Sequence, residues 1–192
     1  MTATNRWIVI GVSGASGVIY GIRLLEWFSQ NPASGLKTRL VMTPSAARNI
    51  EIETDYQPGD VAAMADVSER FDNLTAPISS GSFRTEGMVV APCTMRTLSD
   101  IANCNAHNLL VRAADVTLKE GRKLVLVPRE TPLHKGHLRL LTLAADMGAV
   151  ILPPMPAFYH KPKSVDDIVN QTVGKILDQF GVENSMFTRW EG

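Results

Sequence analysis

Glycines at Gly11, Gly14 and Gly17, with hydroxyls at Ser13 and Ser16, stand between an apolar run from Trp7 to Val12 and a second run with Val18, Ile22, Leu25 and Phe28 at helical spacing. Strand, small-residue turn and helix N-terminus, in that order, make an anion site. Free backbone N–H groups and the positive end of the helix dipole converge on one spot, and the serine hydroxyls add donors there. The dipole contributes only about 0.3–1 kcal/mol, or about 2 kcal/mol when partly buried, so the turn needs side chains from elsewhere. Arg129 and Glu130, directly after the apolar run Lys123–Val127, are suited to hold a phosphate and to deliver a proton to it. Arg112, in the middle of an otherwise apolar helical run, calls for an anionic partner. Lys119-Glu120, at the end of that run, reads on its own as a solvated pair.

Other chemistry-bearing residues carry weaker signals. The G-x-x-G-x-x-G spacing occurs in some dinucleotide enzymes, but the stricter G-x-G-x-x-G fails, because Ser13 and Ser16 stand at its second and third glycine positions. The second strand ends in Thr43-Pro44, without an acidic residue for a ribose hydroxyl. Tyr159 and Lys163 match Y-x-x-x-K, yet Pro162 between them breaks the helix that would align them. A dinucleotide is therefore disfavoured and a mononucleotide phosphate is kept. His134 and His137 open a helix with no third ligand nearby, so capping or surface roles are expected and no metal. Cys93 lacks a neighbouring base and reads as a small buried hydrophobe.

Elements that position these residues follow from periodicity and punctuation. Strands are expected at Trp7–Val12, Lys37–Met42, Met88–Ala91, Lys123–Val127 and Ala149–Leu152. Helices alternate with them: one opens at the Thr43-Pro44 cap, others cover 97–103, 108–120 and 133–147, and a last one runs from the Ser164/Asp167 capping box to Phe180, before Gly181. Residues 56–78 show only short helical hints, near Val61–Met64. This alternation argues for a three-layer α/β fold, a doubly wound parallel sheet, formed by one domain over residues 1–192. Ligands of such sheets sit beyond the carboxyl ends of the strands, which gathers Ser13–Gly17, Thr43, Pro92–Thr97, Arg129–Glu130 and Pro153–Pro162 around one cleft.

Composition narrows the functional classes. The chain has 192 residues, 45% of them hydrophobic, and nineteen basic residues balance nineteen acidic ones. Without a basic run there is no electrostatic footprint for nucleic acid or a membrane surface. No apolar run approaches the roughly 20 residues needed to span a bilayer, and the N-terminus lacks a signal-peptide pattern. Two cysteines make neither a disulfide framework nor a zinc site. A cytoplasmic protein is expected.

Taken together, the motifs resemble the UbiX-type flavin prenyltransferases. The resemblance runs from about Ile8 to Trp190 through G-A-S-G-V-I-Y-G-I-R-L-L (Gly14–Leu25), E-T-D (Glu53–Asp55), S-S-G-S-F (Ser79–Phe83) and A-P-C-T-M-R-T-L-S (Ala91–Ser99). It continues through R-A-A-D-V-T-L-K-E (Arg112–Glu120), V-P-R-E-T-P-L-H (Val127–His134), G-A-V-I-L-P-P-M-P-A-F-Y-H-K-P (Gly148–Pro162) and a final R-W.

The resemblance implies a flavodoxin-like or Rossmann-like fold, a dodecamer with sites shared between neighbouring subunits, and a metal-independent reaction. In that reaction the dimethylallyl group of dimethylallyl phosphate is joined to N5 and C6 of reduced FMN. The product, prenylated FMN, would serve a UbiD-type decarboxylase. Gly14, Ala15, Ser16, Thr43, Thr94, Met95, Arg96, Thr97 and Arg129 would face FMN. Lys119, Glu130, Tyr159 and Lys175 would hold the prenyl phosphate, with Arg112 as a further site residue and Trp190 screening the allylic cation. Ser16, Glu53, Lys119 and Glu130 would carry the catalytic roles. Thr43 and Lys175 stand where relatives commonly carry serine and arginine; the lysine keeps charge but loses the bidentate fork. A flavin-dependent decarboxylase of the same fold is a competing expectation, opposed by the absence of a histidine from Ala46–Glu51, and a non-catalytic FMN carrier is another.

Overall fold

In the computed structural model, which describes residues 6–190, the apolar run after the N-terminus becomes strand β1 (Arg6–Val12) and the first helical run becomes α1 (Ile19–Gln30). β2 (Leu36–Met42), α2 (Pro44–Glu53), α3 (Pro58–Ala63), β3 (Val67–Glu69), β4 (Gly87–Cys93), α4 (Met95–Ala102) and α5 (Leu109–Lys119) follow in order. The chain continues through β5 (Lys123–Pro128), α6 (Lys135–Asp146), β6 (Val150–Ile151) and α7 (Val165–Gln179). All pairings are parallel, in the order β3-β2-β1-β4-β5-β6. This is a doubly wound sheet, and its direction of winding reverses between β1 and β4.

Strands buried on both faces must be apolar on both, and they are. Ile8, Ile10 and Val12 pack with Ile22, Leu25, Ile50, Val61, Val173 and Leu177, so α1, α2, α3 and α7 cover one face. Val9, Met88, Val90 and Leu126 pack with Leu98, Ile101, Leu110, Ala114 and Ala144, so α4, α5 and α6 cover the other. The period-two alternation along β1 sends neighbouring side chains to opposite layers. Each fully buried aliphatic side chain contributes about 1.5–3 kcal/mol, which makes a stiff platform for the loops at the strand ends.

Local signals read from the sequence recur in the structure. Thr43 accepts the N–H of Ala46 with Pro44 in the first turn, and Ser164 and Asp167 form a complete capping box. α4 begins at Met95, two residues before the expected start, because Thr94 is its cap. The stretch 56–78 contains α3, the three-residue edge strand β3 and a 3-10 turn at Pro77–Ser79. At that sheet edge Arg39 pairs with Glu69, and its guanidinium stacks on Trp7 and Phe83 at 4.6 and 4.8 Å. Among the described residues no helix is long and apolar enough to cross a membrane.

Candidate flavin site

Ser13 stitches the point where the sheet winding reverses. Its backbone N–H and its hydroxyl both donate to the Pro92 carbonyl, at 3.2 and 2.9 Å, and the hydroxyl accepts the Thr94 N–H at 2.8 Å. The residue is fully buried. Its hydroxyl, expected from the sequence to face a phosphate, instead joins β1 to the end of β4. That is a correction with a plain cause: the Thr94 N–H after β4 would otherwise have no partner among the described residues.

Beside this stitch lies a cleft of about 480 Å³, lined by Gly14, Thr43, Thr94, Arg96 and Thr97 together with Ser45, Arg48, Asp100, His107 and Asn108. Three helices begin on it. Thr43, Thr94 and Asn108 cap α2, α4 and α5 by accepting the N–H groups of Ala46, Thr97 and Val111, each at 3.0 Å. The N–H groups of Ser45, Met95 and Arg96 have no partner among the described residues. Arg48 and Arg96 form no ion pair among them either. Converging positive helix ends, unsatisfied N–H groups and two unpaired guanidinium groups fit a phosphate. Arg48, on α2, belongs to no motif or spacing pattern that singles it out in the sequence.

The glycine turn is held against this cleft. A Cβ built on Gly14 would lie 2.3 Å from the Ser45 Oγ, so only glycine lets the turn touch the first turn of α2. Asn49 Nδ2 donates to the Gly14 carbonyl at 3.1 Å. Ala15 is buried and Ser16 exposed. Arg129 Nε donates to the Ser16 carbonyl at 3.1 Å, and its backbone N–H donates to Cys93 O at 3.3 Å. Glu130, exposed beside it, accepts the Thr131 N–H at 3.0 Å. Glu53, the last residue of α2, accepts the N–H groups of Gly17 and Val18 at 2.8 and 3.4 Å. The N-terminus of α1, which the sequence offered as the anion site, thus already holds a carboxylate.

The remaining sequence candidates form two further groups. On α7, Lys175 lies 3.7 Å from Asp178, whose carboxylate also takes Arg189 at 2.7 and 3.0 Å, and Trp190 meets Tyr159 edge-on at 5.7 Å. On α5, Arg112 finds its anion in Asp115 at 2.7 Å and also donates to the Ser79 carbonyl at 3.1 Å. Lys119 pairs with Glu120 at 2.5 Å, and holds its carboxyl below the usual range. Lys119 sits beside Gly81, where the chain approaches β4, and α5 is about 16 Å long, with its other end on the cleft. Within one subunit the fold therefore does not bring Lys119 to the glycine turn.

Two alternatives close on geometry. Burial pushes the Cys93 thiol up to about 12, which leaves it protonated and unreactive. His134 caps α6 by accepting the Gly136 N–H at 3.0 Å, with its ring stacked 3.7 Å from that of His137.

A Rossmann-type sheet with a cleft at its switch point defines the class, and the Flavoprotein family model matches residues 1–177. The chain belongs to the UbiX family of flavin prenyltransferases: it is 56% identical over 185 residues to flavin prenyltransferase UbiX of Thauera aromatica, covering 96% of this chain and 94% of the relative. Among solved structures, AnUbiX (PadA1) in complex with FMN and dimethylallyl pyrophosphate superposes with a TM-score of 0.95 at 45% identity, covering 98% of this chain and 99% of that one. A dodecameric FMN-dependent UbiX-like decarboxylase from Escherichia coli O157:H7 gives 0.94 at 49% identity, covering 97% and 100%.

Proposed function

We propose that this chain transfers the dimethylallyl group of dimethylallyl phosphate to N5 and C6 of reduced FMN, releasing inorganic phosphate and prenylated FMN for a UbiD-type decarboxylase. The observation that carries the reading is the convergence of three helix N-termini and two unpaired arginines on one cleft beside the glycine turn. It is supported by the nearly full-length likeness to a structure that holds both FMN and a dimethylallyl ester. Bound FMN supplies the nucleophilic ring; residues 1–192 act as one flavoprotein domain around it.

Gly14, Ala15, Ser16, Thr43 and the Thr94–Thr97 turn, including Met95 and Arg96, hold the flavin, and Arg129 locks the turn from β5. Tyr159, Lys175 and Trp190 hold the prenyl phosphate from α7 and the chain end. Lys119 and Arg112, at a distance within one subunit, reach this phosphate from a neighbouring subunit of a homo-oligomer, in keeping with the dodecamer of the E. coli O157:H7 relative. Breaking the allylic C–O bond leaves charge on the phosphate. Lys119 offsets that charge and Glu130 gives it a proton. Ser16 and Glu53, side by side at the start of α1, steer protons during closure of the second bond. The unpaired Cys93 and Cys104 suit a reducing compartment, and we place the protein in the cytoplasm.

Anaerobic incubation of the protein with reduced FMN and dimethylallyl phosphate tests the reaction. One phosphate released per flavin consumed is expected; FMN binding without phosphate release would instead make the chain a carrier.

A further inference from the structure

We propose that Glu120 and Arg122 are positioning residues that set the charge Lys119 presents to the prenyl phosphate. Before the ester binds, Glu120 holds the Lys119 ammonium against the Ser79–Phe83 loop. When Lys119 turns to the phosphate, Arg122 takes over the freed carboxylate. The inference rests on the reading above, in which Lys119 serves a neighbouring subunit's cleft.

The end of α5 brings these three charges together. Gly121, at φ +65°, lets the chain fold back on the helix. The Gly121 and Arg122 N–H groups then donate to the Leu118 and Thr117 carbonyls, both at 2.9 Å. Lys119 Nζ stands 2.5 Å from one Glu120 carboxylate oxygen, and Arg122 stands 3.9 Å from the other. The pair lies directly on the loop backbone: a Cβ built on Gly81 would collide with Glu120 Oε1 and lie 2.9 Å from Lys119 Nζ.

The two cations differ in freedom. Arg122 is fixed, with 16% of its side chain exposed, and its terminal nitrogens donate to the Phe83 and Gly81 carbonyls at 2.8 and 2.7 Å. Arg112 holds the Ser79 carbonyl of the same loop at 3.1 Å. The Lys119 side chain is 46% exposed, and Glu120 is its one partner among the described residues. A surface pair of this kind is weakly held, so a phosphate can draw the ammonium away. The carboxylate left behind would stand at the negative end of the α5 dipole and beside the arriving phosphate. Arg122 offsets both: the nitrogen that meets Gly81 carries a second N–H, and it is the one 3.9 Å from Glu120.

Affinity for dimethylallyl phosphate tests this, measured by calorimetry on protein loaded with oxidised FMN so that no transfer follows. Glu120→Gln removes the competitor for Lys119 and is expected to bind the ester about three- to fivefold more tightly than the wild type. A residue with a merely structural role would weaken binding, not tighten it. Arg122→Gln leaves the carboxylate on Lys119 and is expected to bind about fivefold more weakly. The double variant is expected to recover at least wild-type affinity, because no carboxylate is left for Arg122 to receive. Circular dichroism and FMN affinity check folding, and Glu120→Gln decides alone if Arg122→Gln does not fold. Ester affinity of Glu120→Gln equal to or below that of the wild type, or a double variant as weak as Arg122→Gln, overturns the inference while the prenyl-transfer reading stands. Ester affinity unchanged in Lys119→Ala overturns it together with the placing of Lys119. Absence of transfer by the wild type overturns the proposed function itself.

Discussion

Arg129 reaches across 113 residues of sequence to place its Nε 3.1 Å from the carbonyl of Ser16, joining the end of β5 to the glycine turn that follows β1. The loops after two middle strands, β1 and β5, separated in the sheet by β4, are thereby tied together. One N–H of the guanidinium is engaged, and its terminal nitrogens form no ion pair among the described residues.

Arg129→Ala should weaken FMN binding about ten- to hundredfold, the range for losing charge-assisted hydrogen bonds of about 1.5–3 kcal/mol. Arg129→Lys should recover only part, because one ammonium cannot serve the turn and the ligand in the fixed fork that arginine provides. Fluorescence quenching of FMN measures both; equal affinity for all three proteins would remove Arg129 from the site.

Ser13→Ala should destabilise the fold by about 1–3 kcal/mol, since the Thr94 N–H loses the acceptor that the fully buried Ser13 supplies. For a chain of this size each kcal/mol corresponds to a fall in Tm of about 2–4 °C, read by calorimetry. An unchanged Tm would mean that water replaces the hydroxyl and that the stitch does not matter.

Acid should loosen the chain end over α7. Arg189 holds the Asp178 carboxyl below the usual carboxylate range, burial opposes this, and Asn184 and Lys175 add to the lowering. A carboxylate with a depressed folded-state value stabilises fully above its ordinary value, about 3.9, and that stability is lost as pH falls through the lowered value. In a background with Trp7 and Trp27 replaced by Phe, Trp190 fluorescence should report this release, and Asp178→Asn should show the loosened signal already at neutral pH. Fluorescence of Asp178→Asn matching its parent throughout would sink the link.

Legibility from sequence followed contact range. The Thr43-Pro44 and Ser164/Asp167 caps were readable because donor and acceptor lie within a few residues of each other. The alternation of buried runs gave the sheet for the same reason. β3 was not readable: three residues carry no period, and the strand is held by Arg39 from β2 under Trp7 and Phe83. The contacts of Ser13 and Glu53 were not readable, because their partners, Pro92 with Thr94 and Gly17 with Val18, meet them only in the fold. Arg48 became a site residue only once α2 was seen to begin on the cleft.

Lys119→Ala should leave FMN affinity unchanged and lower prenyl transfer about 10²-fold, the scale for removing one charge-stabilising donor. The decisive measurement mixes this variant with Arg129→Ala in one oligomer, at equal amounts, and follows formation of a flavin heavier by one five-carbon unit. If Lys119 serves a neighbour's cleft, about one quarter of the sites receive both intact residues and activity returns to that fraction. Mixed oligomers no more active than the two variants apart would contradict a site assembled between subunits.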